Sequence, residues 1–156
     1  MPLNKQEQSE CVTYLTRSVL LRNCNEEQLK NLCKYAEKKK YSKGEYLQKE
    51  GEPQNKMYVI SHGEVTREKI DEHGELHHID TYMGGYTVGS LHVMNKDPAY
   101  ASTKANSSEV IAFEIPSEPV VQYFKSNPDF AFNVALSLTK EVRIYLFIFL
   151  NLDSIS

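Results

Sequence analysis

The chain has 156 residues, of which 40% are hydrophobic and 25% charged, with a formal net charge of −3. This balance predicts one soluble globular domain with a core of its own. It excludes a basic grip on DNA or an anionic membrane within these residues. The first twenty residues are too polar for a signal peptide, and the longest apolar run, 144–150, is too short to span a bilayer. Cys11, Cys24 and Cys33 are odd in number and lack C-x-x-C spacing, so they are expected to be reduced thiols in a cytoplasmic protein.

Residues 5–22 place Val12, Leu15, Val19 and Leu20 at helical spacing. Asn25 followed by Gln28 signals a capped second helix, which carries Leu29, Leu32, Cys33 and Ala36 inward. The run Lys38-Lys39-Lys40 reads as the solvated end of that helix. From Tyr41 onward the pattern turns to short strands. Turns are expected at Gly44, at Gly51, at Ser61-His62-Gly63, at D-E-H-G-E (71–75) and at Gly84-Gly85, and strands resume through 110–115. Many short strands at this spacing predict a β-roll or barrel. Ser117 is placed to cap a helix over 120–124, and Asn127-Pro128 opens another that runs to about Asp153. Within it Leu138, Val142, Tyr145, Phe149 and Leu152 are spaced 4, 3, 4 and 3 apart, a heptad seam, and Leu146, Phe147 and Leu150 lie opposite. A helix apolar nearly all round must be covered nearly all round. One face is expected on the chain's own β-roll and the other on an identical partner, giving a homodimer; the alternative is a helix folded back into its own core.

The most informative stretch is V-G-S-L-H-V-M-N-K-D-P-A-Y-A-S-T-K-A at 88–105. It combines a glycine-led turn, one short helical turn, a proline and a small-residue run entering a strand. It resembles, without a gap, the phosphate-binding cassette of cyclic-nucleotide-binding domains, F-G-E-L-A-L-x-x-x-x-P-R-A-A-T-V-x-A, at Gly89, Leu91, Val93, Pro98, Ala101, Ser102 and Ala105. The resemblance extends over the strands, where the family's K-G-x-x-[IL]-x-x-x-G and [ML]-Y-x-[IV]-x-x-G-x-[VA] fit Lys43, Gly44, Leu47 and Gly51, then Met57, Tyr58, Ile60, Gly63 and Val65.

The resemblance implies an α+β fold: an antiparallel, jelly-roll-like β-roll with N-terminal helices and a long C-terminal dimerisation helix. It divides the chain into a helical segment at 1–37, a β-roll at 38–116 and C-terminal helices at 117–156. The family's cassette points to Gly89, Ser90, Leu91, His92, Ala99, Tyr100, Ala101 and Ser102 as effector-contacting positions, and to cAMP or cGMP as the ligand. Yet Ser90 stands where the family keeps the glutamate that accepts the ribose hydroxyl, and Ala99 where it keeps the arginine that holds the phosphate. Backbone amides can still meet an anion. A methyl group cannot replace two-pronged, charge-assisted hydrogen bonds worth about 1.5–3 kcal/mol. Tyr100, where the family keeps a small residue, is expected to fill the nucleotide space, or to stack on a flat ligand.

The helix ending in L-N-L-D-S-I-S, and F-K-S-N-P-D-F before it, are similar to transcription regulators of the catabolite-activator/FNR type. That branch implies effector sensing, with DNA read only by a domain beyond residue 156. A regulatory module of a eukaryotic kinase or channel, and a ligand-free dimerisation domain, are the alternatives. No nucleophile–base constellation, P-loop or dinucleotide fingerprint supports an enzyme. His62, His73, His77 and His78 read as surface histidines and no metal site is expected, since His77 and His78 on one strand face opposite ways. His92, inside the cassette, could donate to an anion or titrate near neutral pH, against a plainer reading as a packed or solvent-facing residue. Three scattered cysteines do not suit an iron–sulfur cluster.

Overall fold

The computed structural model describes residues 1–90, 92–95 and 97–152, with the backbone alone at Leu152. Helix α1 (Lys5–Leu15) and helix α2 (Glu26–Cys33) open the chain. The strands β1 (Glu37–Ser42), β2 (Tyr46–Gln48), β3 (Lys56–His62), β4 (Glu64–Ile70), β5 (Leu76–Met83), β6 (Thr87–Val88), β7 (Ser102–Ala105) and β8 (Glu109–Pro116) follow. Helices α3 (Ser117–Ser126) and α4 (Pro128–Leu152) close it. The strands form two antiparallel four-stranded sheets, ordered β1-β8-β3-β6 and β2-β7-β4-β5, as a β-roll requires.

The central strands of the first sheet, β3 and β8, are buried on both faces, and their sequence shows why. Along β3 and β8 successive residues point to opposite sides. Met57, Val59, Phe113 and Ile115 join the helices in one core, with Leu15, Leu29, Leu32, Phe130 and Val134. Tyr58, Ile60, Val110 and Ala112 face the other way, into the roll, against Leu47, Val65 and Ala105 of the second sheet. A strand buried on both faces reads as an unbroken apolar run, which Met57-Tyr58-Val59-Ile60 is. The second sheet turns only one face inward, and β5 is mostly exposed.

Asn25 and Gln28 form the expected capping box on α2. A second box, Asn4 with Glu7, caps α1 and escaped the sequence reading. The helix expected over 5–22 stops at Leu15. Thr13 Oγ1 and Thr16 Oγ1 donate to the Ser9 and Thr13 carbonyls, and tighter turns follow, such as Ser18 N to Leu15 O at 3.1 Å. Leu20 and Leu21 remain buried without helical periodicity.

Lys38–Lys40 is not a helix end but the middle of β1, paired with β8 through Lys38↔Phe113, Lys39↔Ala112 and Lys40↔Ile111. Lysines suit a sheet edge, and here each meets a carboxylate: Lys38 binds Glu7 at 2.6 Å, Lys39 approaches Glu114 at 3.8 Å and Lys40 binds Glu109 at 3.2 Å. Ser117 is the first residue of α3, not its cap. Strand β8 runs straight into the helix through extended Pro116, leaving no loop for a capping side chain.

Helix α4 is anchored only over its first half. Phe130, Val134 and Ser137 are buried. Asn23 donates to Ser137 Oγ at 3.0 Å, Lys140 donates to Asn23 at 2.8 Å, and Arg22 pairs with Glu141. Beyond Glu141 every described side chain is exposed. The expected contact of this segment with the chain's own β-roll is therefore absent among the described residues, and so is a fold back into its own core. Leu138, Val142, Tyr145 and Phe149 are 39%, 56%, 69% and 65% exposed, and Leu146, Phe147 and Leu150 are no better covered. Leu152, the last of the seam, has no described side chain. Among the described residues no helix is long and apolar enough to cross a membrane.

Candidate functional site

The cassette follows β6. Gly89 turns the chain at φ +80°, a conformation that L side chains rarely adopt. The close approach is as demanding as the angle: a Cβ at Gly89 would lie 2.8 Å from Gln54 Nε2 and 3.3 Å from the Lys56 carbonyl oxygen. The expected helical turn is a series of turns over 92–95, where His92 N donates to Gly89 O at 3.2 Å. Leu91 lies outside the described residues. Asn95 and Asp97 bond each other, and Pro98 bridges to Pro53. Ala99 is pinned to the 50–53 loop by both backbone groups, its N–H on Glu52 O at 2.8 Å and its carbonyl under Gly51 N at 2.9 Å. Ser102 Oγ accepts from Glu50 N at 2.9 Å as the chain enters β7.

Ser90 and Ala99 are 8% and 3% exposed, so the two positions where the family keeps its charges face inward. Ala101 is buried beside them. Tyr100 departs from the expected filling of the pocket. It is 62% exposed, and Lys69 Nζ sits 3.4 Å from its ring centroid and donates to its carbonyl at 3.0 Å. The cation–π contact and this hydrogen bond hold the ring outside the roll. His92 is half-buried, and its Nδ1 is enclosed with no hydrogen-bond partner among the described residues.

Sequence reasoning missed the sheet beneath. The registers Gln48↔Thr103, Thr103↔Arg67 and Arg67↔Asp80 set four residues side by side across β2, β7, β4 and β5. Directly paired residues share a face. It is the inner face, because Val65, Ala105 and Tyr82, each two residues away on its strand, pack on the roll's core. The roll's apolar filling thus ends in a polar row near the cassette. Arg67 grips Asp80 with two hydrogen bonds of 2.7 and 2.5 Å and lies over the Tyr82 ring. That guanidinium holds the Asp80 carboxyl below its usual range, against the opposing effect of burial. Gln48 Oε1 accepts from Gln54 Nε2 at 2.9 Å, and Gln54 Oε1 is buried without a partner among the described residues. Next to this pair a cavity of about 400 Å³ is lined by Leu47, Gln48, Gln54, Lys56 and Tyr58 among others.

The electrostatic consequence is specific. Arg67 and Lys69, two described cations beside the cassette, are already paired, with Asp80 and Glu50, and Lys56 of the adjoining cavity is paired with Glu114. A phosphate entering here would have to compete with a carboxylate for each of these described cations. The arrangement offers amides, hydroxyls and a neutral ion pair, which suit a polar ligand better than an unaccompanied anion.

The remaining histidines, His62, His73, His77 and His78, are exposed. Asp71, Glu75 and His77 do bring ligand-type atoms within 4.8 Å of one another on the exposed 71–77 turn, where His77 binds Asp71 at 2.7 Å.

The family model of the cyclic nucleotide-binding domain matches residues 38–127, more than half of the chain. No curated protein sequence matches. Among solved structures, the chain is similar to the N-terminal domain of a transcriptional regulator from Streptomyces coelicolor A3(2), with TM-score 0.77 and 19% identity over 87% of this chain and 94% of that one. It is similar to the sensor domain of the transcriptional regulator DNR from Pseudomonas aeruginosa, with TM-score 0.70 and 17% identity over 90% and 94%. It is also similar to the regulatory domain of Toxoplasma gondii PKA crystallised with cAMP, with TM-score 0.69 and 19% identity over 80% of this chain and 45% of that one. These likenesses carry the fold, and the matched family model shows that the chain belongs to the cyclic nucleotide-binding domain family.

Proposed function

We propose that this chain is the effector-sensing and dimerisation part of a catabolite-activator/FNR-like transcription regulator, and that its effector is a polar small molecule other than cAMP or cGMP. The observation that carries the second statement is the buried pair Ser90 and Ala99, backed by a polar row in which Arg67 is already taken by Asp80. The role is non-enzymatic. An effector seated between the cassette and the row tips a two-state element by binding one state better. The reading of DNA belongs to a separate domain, and the likeness to sensor domains of transcription regulators supports this division of labour.

Calorimetry of the purified domain with cAMP and with cGMP at ordinary salt tests this reading, and no submicromolar binding is the expected result. Submicromolar affinity would overturn it and favour a nucleotide-driven regulatory module. Ala99→Arg with Ser90→Glu restores the missing charges. Because Tyr100 lies outside the roll, the double variant should gain about ten- to hundredfold in cAMP affinity without any change at Tyr100.

Dimerisation rests on α4, whose apolar surface past Glu141 is exposed on every side. The seam Leu138, Val142, Tyr145, Phe149 and Leu152 meets its copy, and Leu146, Phe147 and Leu150 widen the contact. Light scattering at micromolar concentration should give the mass of two chains, and Phe149→Glu, which would bury a charge in the seam, should halve it. A monomer for the unmodified domain would sink the dimer.

A further inference from the structure

Two of the three cysteines meet, which their spacing in the sequence does not suggest. Cys11 lies in the middle of α1 and Cys33 ends α2; both are buried, and their Sγ atoms are 2.8 Å apart. A disulfide holds its sulfurs at about 2.05 Å, so a shift of under an ångström would join them. Cys24, in the turns between the two helices, is only half-buried and takes no part in the contact. A groove of about 730 Å³ runs between α1 and α2, walled by Lys5, Thr13, Lys30 and Lys34. Cys33 lines it and Cys11 does not. The pair is therefore asymmetric: Cys33, 2% exposed, borders the groove, and Cys11, fully enclosed, does not.

We infer that Cys11 and Cys33 form a reversible disulfide, with hydrogen peroxide entering through this groove as the oxidant. The Cys33 sulfur, having released its proton, attacks one peroxide oxygen. The O–O bond breaks, and the departing hydroxide takes up that proton to leave as water. Cys33 is then a sulfenic acid. The Cys11 sulfur attacks the sulfenic sulfur, the S–S bond forms, the S–O bond breaks, and the oxygen leaves as a second water with the Cys11 proton. Two thiols have lost two electrons and two protons, and one peroxide has become two waters. The contact with Cys33, together with burial, pushes the Cys11 thiol up, which makes it a poor first nucleophile toward peroxide and leaves that attack to Cys33 beside the groove.

The bond would fix the bracket that connects the two halves of the domain. Helix α1 reaches β3 through Ser61 Oγ donating to Glu10 at 2.8 Å, and α2 reaches α4 through Asn133 donating to Gln28 at 3.1 Å. Closing the chain between Cys11 and Cys33 should raise the melting temperature by roughly 5–10 °C.

The unmodified domain decides the matter. It is reduced, treated with hydrogen peroxide, denatured in N-ethylmaleimide and mapped by mass spectrometry. The expected map shows a Cys11–Cys33 cross-linked peptide with Cys24 still alkylated, together with a higher melting temperature that dithiothreitol reverses. Cys11→Ser should leave a sulfenic acid on Cys33 that dimedone traps. Three alkylated cysteines after oxidation, a cross-link through Cys24, or sulfinic acid on Cys33 without a cross-link would each overturn the assignment.

Discussion

Gly63→Ala should destabilise the domain by about 2–5 kcal/mol, the sum of two separate costs. Gly63 joins β3 to β4 at φ +85°, and an L residue held in the left-handed region costs about 1–2 kcal/mol. The added Cβ would also lie 2.3 Å from the Glu109 carbonyl oxygen, 2.7 Å from Ser107 Oγ and 3.0 Å from Val110 Cα. Two of these are backbone atoms at the start of β8, which is held between β1 and β3, so the strain cannot be shed by turning one side chain. Forcing packed structure apart costs about 1–3 kcal/mol more. Gly44→Ala is the control. It has a similar φ, +89°, but open space around it, so only the backbone cost should appear. Urea unfolding should show a fall in midpoint for Gly63→Ala at least twice that for Gly44→Ala, with unchanged slopes. Equal falls would mean that the close approach to β8 carries no weight.

The contrast between these glycines marks how far the sequence can be read. Both announce turns, and the turn positions follow from conformational freedom that only glycine has cheaply. Nothing local says that Gly63 also touches β8, about fifty residues away in sequence, because that contact exists only once the sheets have closed. The same limit explains the lysine run. Lys38–Lys40 extends a helix by local preference, yet becomes β1 because β8 offers backbone partners and Glu7, Glu109 and Glu114 stand where the ammonium groups arrive. Tertiary pairing overrode propensity there, as strand formation often does.

The candidate site divides in the same way. The cassette was legible because its glycine, proline and small residues follow one another along the chain. The row Gln48, Thr103, Arg67 and Asp80 was not, because it is assembled from four strands by register alone. Tyr100 shows a related limit. Its bulk suggests a filled pocket or a ring stacked on a flat ligand, but Lys69 arrives from β4 to hold the ring outside the roll. The seam of α4 was readable as a spacing. Its coverage was not, since the anchoring of the helix by Arg22 and Asn23 and its exposure beyond Glu141 depend on where the first helices end.

Glu114→Ala should cost about 3 kcal/mol, and the pH dependence of its milder counterpart should reveal why. Glu114 lies in β8 with its side chain 8% exposed, on the face that turns into the roll. Lys56 binds it at 2.5 Å, the Tyr41 hydroxyl donates to it, and Lys39 lies 3.8 Å away. Removing one member of a buried pair costs about 3–5 kcal/mol because the other is left uncompensated. The lower end applies here, since Lys56 is 37% exposed and can recover some water. The buried Tyr41 hydroxyl would lose its acceptor. Glu114→Gln keeps an acceptor for it and should cost only about 1–2 kcal/mol. Burial alone would raise the Glu114 carboxyl; the hydrogen bonds from Lys56 and Tyr41 outweigh it and hold the group below its ordinary value. A carboxyl depressed on folding binds more protons in the unfolded chain, where its pKa is about 4.3, so stability rises with pH through that window. The contribution is complete above about pH 5 and is lost as pH falls through the folded value. The stability difference between the unmodified domain and Glu114→Gln should therefore be flat from about pH 7 down to 5 and shrink below about 4. A difference that stays constant down to about pH 3 would show that Glu114 acts by its shape and not by its charge.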